Sequence, residues 1–165
     1  MQKSKGFTLV ELVIVIVILG ILAVTAAPKF LNLAGDAKKG TLDAVKASLQ
    51  SSNSVIYSKA ILQGKQKAAS ENVNESGTNI AVVYGYVAAT QAAVSAVLDL
   101  DSNFVVIQGI ANTPLATTTA DVFIYPSGSA LPDSNTTVAT ACVLIYTAAA
   151  NATSKPTYRI SGNGC

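Results

Sequence analysis

The chain begins with a hydrophobic run that has almost no polar interruption. Between Val10 and Ala27 every residue is Val, Ile, Leu or Ala except Glu11, Gly20 and Thr25. As a helix, this run approaches the thickness of a bilayer core. Glu11 lies one turn from its start, and a carboxylate at that depth costs roughly 2.5 kcal/mol or more unless it finds a partner. It is therefore a candidate functional group, the alternative being a carboxylate that simply snorkels to the headgroups. After Pro28 the pattern becomes amphipathic. Ala37, Thr41, Val45, Leu49, Ser52, Ile56 and Ala60 recur at three- or four-residue steps and predict one weakly apolar helix face. Asp36, Lys39, Asp43 and Lys46 follow the same spacing on another face, each neighbouring pair contributing about 0.2–0.5 kcal/mol. They form a solvated face, or one that also sets register between stacked subunits.

One long helix is thus expected from Phe7 to about Gln63, roughly 85 Å at 1.5 Å per residue. Gly20 and Pro28 are its weak points: glycine raises the cost of helix, and proline removes a backbone donor and clashes with the preceding turn. Such a rod is too long to pack wholly on one small domain, so its first half needs lipid or copies of itself. Residues 63–79, polar and punctuated by Gly64 and Gly77, read as a loop. Residues 80–86 are strand-like, and residues 88–98 predict a short helix with Thr90 as a candidate N-cap. Four β-rich runs follow, at 103–108, 121–125, 142–147 and 156–161. Turn signals at Asn112-Thr113-Pro114, Pro126-Ser127-Gly128 and Pro132-Asp133-Ser134-Asn135 separate them, as in an antiparallel meander. The expected class is α+β: a long N-terminal helix packed on a small four-stranded antiparallel sheet.

Composition narrows the function. A chain of 165 residues supports one modest domain plus an elongated element. Half of it is hydrophobic and only 12% is charged, with a formal net charge of +2. Without Lys3 and Lys5, the 11 basic side chains fall to nine and match the nine acidic ones. No basic face marks a nucleic-acid binder. Histidine is absent, so Ser-His-Asp, Cys-His and histidine-bearing metal sites are unavailable. With no glycine-rich phosphate loop either, the chain does not read as an enzyme, and no cofactor is implied. Aromatic residues, at 6%, are too sparse for continuous ring stacking as an electron path. Two cysteines, Cys142 and Cys165, suit an exported protein with one disulfide; the alternative is a pair of free thiols. In the chain-entropy model a closed loop of that length contributes about 3 kcal/mol.

The leader points the same way. Met1-Gln2-Lys3-Ser4-Lys5-Gly6 is short and basic, and an ordinary signal-peptidase cut near Ala27 would place Pro28 at or next to the scissile bond. A cut after Gly6 keeps the whole apolar helix and gives Phe7 a new ammonium. Lys5-Gly6-Phe7-Thr8-Leu9-Val10-Glu11-Leu12 resembles the class III signal of type IV pilins. Ala27-Pro28-Lys29-Phe30-Leu31-Asn32-Leu33, Gly35-Asp36-Ala37, Tyr84-Gly85-Tyr86, Ala89-Thr90-Gln91-Ala92-Ala93 and Leu98-Asp99-Leu100-Asp101 are similar, more narrowly, to the mannose-sensitive haemagglutinin pilins of marine gamma-proteobacteria. The likeness is dense over the first third and thin after Asn103.

The resemblance implies cleavage between Gly6 and Phe7 and N-methylation of Phe7 by a prepilin peptidase. It also implies storage in the inner membrane and polymerisation by pilus assembly machinery into a homopolymeric extracellular filament. Phe7 and Glu11 then form the assembly pair, the ammonium of one subunit meeting the carboxylate of the next. The segment between Gly20 and Pro28 partly unwinds in the packed filament, lending extensibility. Attachment, biofilm formation and a surface or host glycan receptor are implied as well. The chain divides into a leader (1–6), a helix (7–62, with an apolar half 7–30 and an amphipathic half 31–62) and a head (63–165) with a disulfide region (142–165).

Other features read as structural. Asp99-Leu100-Asp101-Ser102-Asn103 has the look of a calcium loop, but Phe104 replaces the turn glycine and Ile110 the bidentate glutamate, so a helix C-terminal turn is expected and no metal. Asn-x-Ser/Thr matches at Asn74, Asn135 and Asn151 mark surface loops. Rival readings are a pseudopilin of a type II secretion system, and a soluble secreted binding domain with an ordinary signal peptide.

Overall fold

The computed structural model describes residues 6–109, 121–129 and 141–165. The helix side chains at 27–32 are outside that description, as are the turn signals at 112–114 and 132–135, Ile110, Asn135 and leader residues 1–5.

Helix α1 runs unbroken from Leu9 to Leu62, so Gly20 and Pro28 are absorbed without a break in the single chain. Thr8 caps its start. Its end is a Schellman motif: the Gly64 amide donates to Ile61 O and the Lys65 amide to Ala60 O, with Gly64 at φ 69°. Leu42, Val45, Leu49, Asn53, Ile56 and Ala60 form the buried face. The expected stripe is right at Val45, Leu49, Ile56 and Ala60, but Ala37 and Thr41 are exposed and Ser52 is half-buried. Leu42 replaces Thr41 because a three-residue step back from Val45 lands on the more apolar side chain. Asn53 replaces Ser52 for a polar reason given below.

The segment read as a loop at 63–79 contains a strand. β1 (Glu71–Glu75) pairs antiparallel with β2 (Thr78–Val83) across a turn in which Ser76 and Gly77 both have positive φ, and β2 pairs with β3 (Tyr86–Val87). β1 was hidden because Glu-Asn-Val-Asn-Glu buries only Val73. The Ser76-Gly77 pair was the readable hairpin signal. The second hairpin turns on Tyr84 and Gly85, also at positive φ. A Cβ at Gly85 would come within 3.0 Å of both Gln66 Cα and the Tyr57 ring, so glycine lets this turn lie against α1 and stack Tyr86 on Tyr57, with ring centroids 4.5 Å apart.

Helix α2 (Gln91–Val97) is capped by Thr90, whose Oγ1 accepts from the Ala93 amide. Beyond it, Asp101 accepts from the Asn103 amide and side chain, so the acidic run closes a turn on itself. β4 (Phe104–Gln108), β5 (Asp121–Pro126), β6 (Val143–Thr147) and β7 (Thr157–Ser161) form the expected four-stranded antiparallel sheet in sequential order. Its inner face (Val122, Ile124, Leu144 and Tyr146) joins the α1 face, the first sheet and α2 in one core. Phe123, Tyr125, Val143 and Ile145 form a second cluster on the other face. Burial on both faces explains why β5 and β6 read as continuous apolar runs.

At the centre of the core Asn53 links helix to both sheets. Its Oδ1 accepts from the Val87 amide at 2.8 Å, its Nδ2 donates to Tyr158 Oη at 2.8 Å, and Tyr146 Oη donates to Val87 O. Burial pushes the Tyr146 and Tyr158 hydroxyls up, Tyr158 to about 12. An unfolded tyrosine ionises near pH 10. The folded state therefore keeps its stability below that value and loses it as pH climbs from about 10 toward 12. Alkaline unfolding in that window, followed by tyrosinate absorbance and circular dichroism together, is the expected result. Tyr158→Phe should weaken the pH dependence.

Candidate functional site: the N-terminal rod and its first turn

Gly6, Phe7 and Thr8 lie outside the helix, which starts at Leu9, so the Gly6–Phe7 bond sits in non-helical chain ahead of it. Phe7 is 82% exposed. A Cβ on Gly6 would meet nothing within 4 Å, so no contact among the described residues calls for glycine there.

The first turn is a complete capping box. The Thr8 amide and hydroxyl both donate to Glu11 Oε2 at 2.8 Å, and the Glu11 amide donates back to Thr8 Oγ1 at 3.3 Å. In the single chain the partner of Glu11 is thus Thr8. The nitrogen of Phe7 is still a peptide amide. Thr8 escaped the sequence reading, although Thr8-Leu9-Val10-Glu11 ahead of an apolar run has the capping-box spacing.

From Leu9 to Ala26 the helix is long and apolar enough to cross a membrane, and none of that span is buried against the rest of the chain. Eighteen residues span about 27 Å. Inside it, the Thr25 hydroxyl donates to Ile21 O and Leu22 O, satisfying its polar group within the helix. Pro28 has no amide hydrogen to give the carbonyl one turn back. The stretch from Gly20 to Pro28 therefore combines a glycine, a back-bonded threonine and a missing donor.

The face of α1 opposite the core carries a different surface. Ala37, Gly40, Ala44, Ala47, Ser51 and Val55 are all exposed, all small or apolar, and none is charged. Of the four charges at 36, 39, 43 and 46, none pairs with another; the ion pairs among the described residues join Lys59 to Glu75 and Lys65 to Glu71. Within the head, Cys142 and Cys165 are joined in a disulfide. No metal-holding cluster of Cys, Asp or Glu occurs among the described residues.

Residues 1–27 match the prokaryotic N-terminal methylation motif. The chain is also 44% identical over 64 residues to the type IV narrow pilus major component PilA5 of Thermus thermophilus, a stretch that is 39% of this chain and 52% of that protein. It thus spans about half the length of that curated relative. No solved structure matches. The methylation motif, the long apolar helix and the antiparallel head together make an α+β layout consistent with the type IV pilin fold.

Proposed function

We propose that this chain is the precursor of the major structural subunit of a type IV pilus, of the mannose-sensitive haemagglutinin kind. The observation that carries the reading is an 18-residue apolar helix, wholly unburied, that lies within the residues matching a methylation motif and continues without a break into a folded head. A rod of that length stays soluble only in lipid or among copies of itself.

The proposed sequence of events starts with the rod held in the inner membrane and the head outside it. A prepilin peptidase removes residues 1–6 and methylates the nitrogen of Phe7. Its need for glycine at position 6 would explain a residue that no packing among the described residues requires. Assembly machinery then transfers subunits from lipid to filament. Apolar rods pack together, the charge-free strip from Ala37 to Val55 lets neighbouring helices approach closely, and each Glu11 takes the Phe7 ammonium of an adjacent copy. The heads form the outer surface, where attachment to surfaces or host glycans and biofilm formation take place.

N-terminal sequencing and mass spectrometry of the extracellular product test the proposal. A product that begins at N-methylated Phe7 and pellets as filaments is expected. One that begins at Ala27 or Pro28 would falsify it.

A further inference from the structure

Helix α1 leaves the core abruptly. Leu42 is the first fully buried residue among its described side chains, and between residues 33 and 41 only Gly35 is even partly covered. What covers Gly35 is the chain segment that follows β7. A Cβ on Gly35 would lie 3.1 Å from the carbonyl carbon of Cys165 and 3.4 Å from its oxygen. One turn further along, a Cβ on Gly162 would lie 2.9 Å from Lys39 Cδ. Positions 35, 39 and 42 share one helix face by their four- and three-residue steps. The segment therefore lies along the core-facing side of α1 for almost two turns beyond the core, covering Gly35 in part.

The segment is itself held at both ends. Ser161 closes β7 opposite Val143, and Cys165 is tied to Cys142, immediately before β6. Between them the Gly164 amide donates to Ala141 O and the Cys165 amide to Gly162 O. Glycine at position 35 removes the Cβ that would crowd the Cys165 backbone, and Gly162 leaves room for the Lys39 side chain.

We propose that residues 162–165 are a strap, buckled by the Cys142–Cys165 disulfide, that fixes the stem of α1 at Gly35–Lys39 to the head. The disulfide then does more than close a loop within the sheet: it sets where the rod stops being free and so fixes the angle at which the head is carried. Without the strap, the freely bending part of α1 extends from Gly35 to the edge of the core at Leu42.

Amide hydrogen exchange on the full-length chain in detergent micelles tests this, comparing the wild type with Gly35→Leu and with the double variant Cys142→Ser/Cys165→Ser. Leucine is the better helix former, so helix propensity alone would slow exchange at position 35 and its neighbours. The strap predicts the reverse. Amides 34–41 should exchange at least about tenfold faster in both variants, with amides 45–60 unchanged, because local openings follow local contacts. Unchanged or slower exchange at 34–41 in Gly35→Leu overturns the strap, and so does a loss of protection that spreads equally into 45–60. Gly35→Leu keeps the disulfide, so it remains decisive if the cysteine variant folds poorly. The subunit is unassembled throughout, which separates this outcome from whether the chain forms filaments.

Discussion

Replacing Glu11 with alanine is expected to leave membrane insertion and removal of the leader intact and to strip the cell surface of filaments. The capping box is the smaller part of what is lost. A cap is worth about 1 kcal/mol, and a 54-residue helix does not depend on it. On the proposed assembly, the larger part is charge. Both Thr8 donors act on Oε2, so Oε1 is left to the surroundings. A Phe7 ammonium from a neighbouring copy, at about 4 Å and an effective dielectric near 20, is attracted by roughly 4 kcal/mol before desolvation. Glu11→Gln separates the two contributions, since glutamine also serves in a capping box but carries no charge. It should fail to assemble much as alanine does. Sheared surface fractions viewed by electron microscopy, with N-terminal sequencing of the membrane pool, give the answer. Normal piliation in either variant removes the charge pair from the mechanism.

The second large effect lies in the head. Asn53→Ala takes away the acceptor of the buried Val87 amide and the donor to Tyr158 Oη. Each buried polar group left without a partner costs roughly 1–3 kcal/mol, so a loss of about 2–4 kcal/mol is expected. For a head of this size that lowers the melting temperature by about 10–20 °C, readable as loss of sheet signal in circular dichroism. Leader processing, which acts at the other end of α1, should be unaffected. A shift of less than about 3 °C would show that Asn53 does not hold the two sheets to the helix.

These two residues mark the limits of what the sequence disclosed. Glu11 stands out because a lone carboxylate in a long apolar run is costly unless it finds a partner. Its local partner Thr8 did not, although the capping-box spacing was there to be read. Asn53 was invisible: a polar residue within an amphipathic stripe reads as a boundary, and only the approach of Val87 and Tyr158 from distant parts of the chain makes it the centre. The four strands of the larger sheet were legible because β-branched and aromatic residues cluster between turn residues. β1 was not, because its single buried side chain, Val73, gives no alternation to count. The 162–165 contact with Gly35 brings together positions more than 120 residues apart, a pairing that no local pattern encodes.

The outer strand of the larger sheet has a consequence for crowding. Among the described residues β7 has β6 on one side and no strand on the other, and an open sheet edge is a template for fusion with a neighbour's sheet. Here that edge begins directly after Lys155 and Pro156 and carries the exposed Arg159 at its middle. Proline withholds a donor and the cations repel their own kind, so heads at very high local density can lie side by side without zipping into a common sheet.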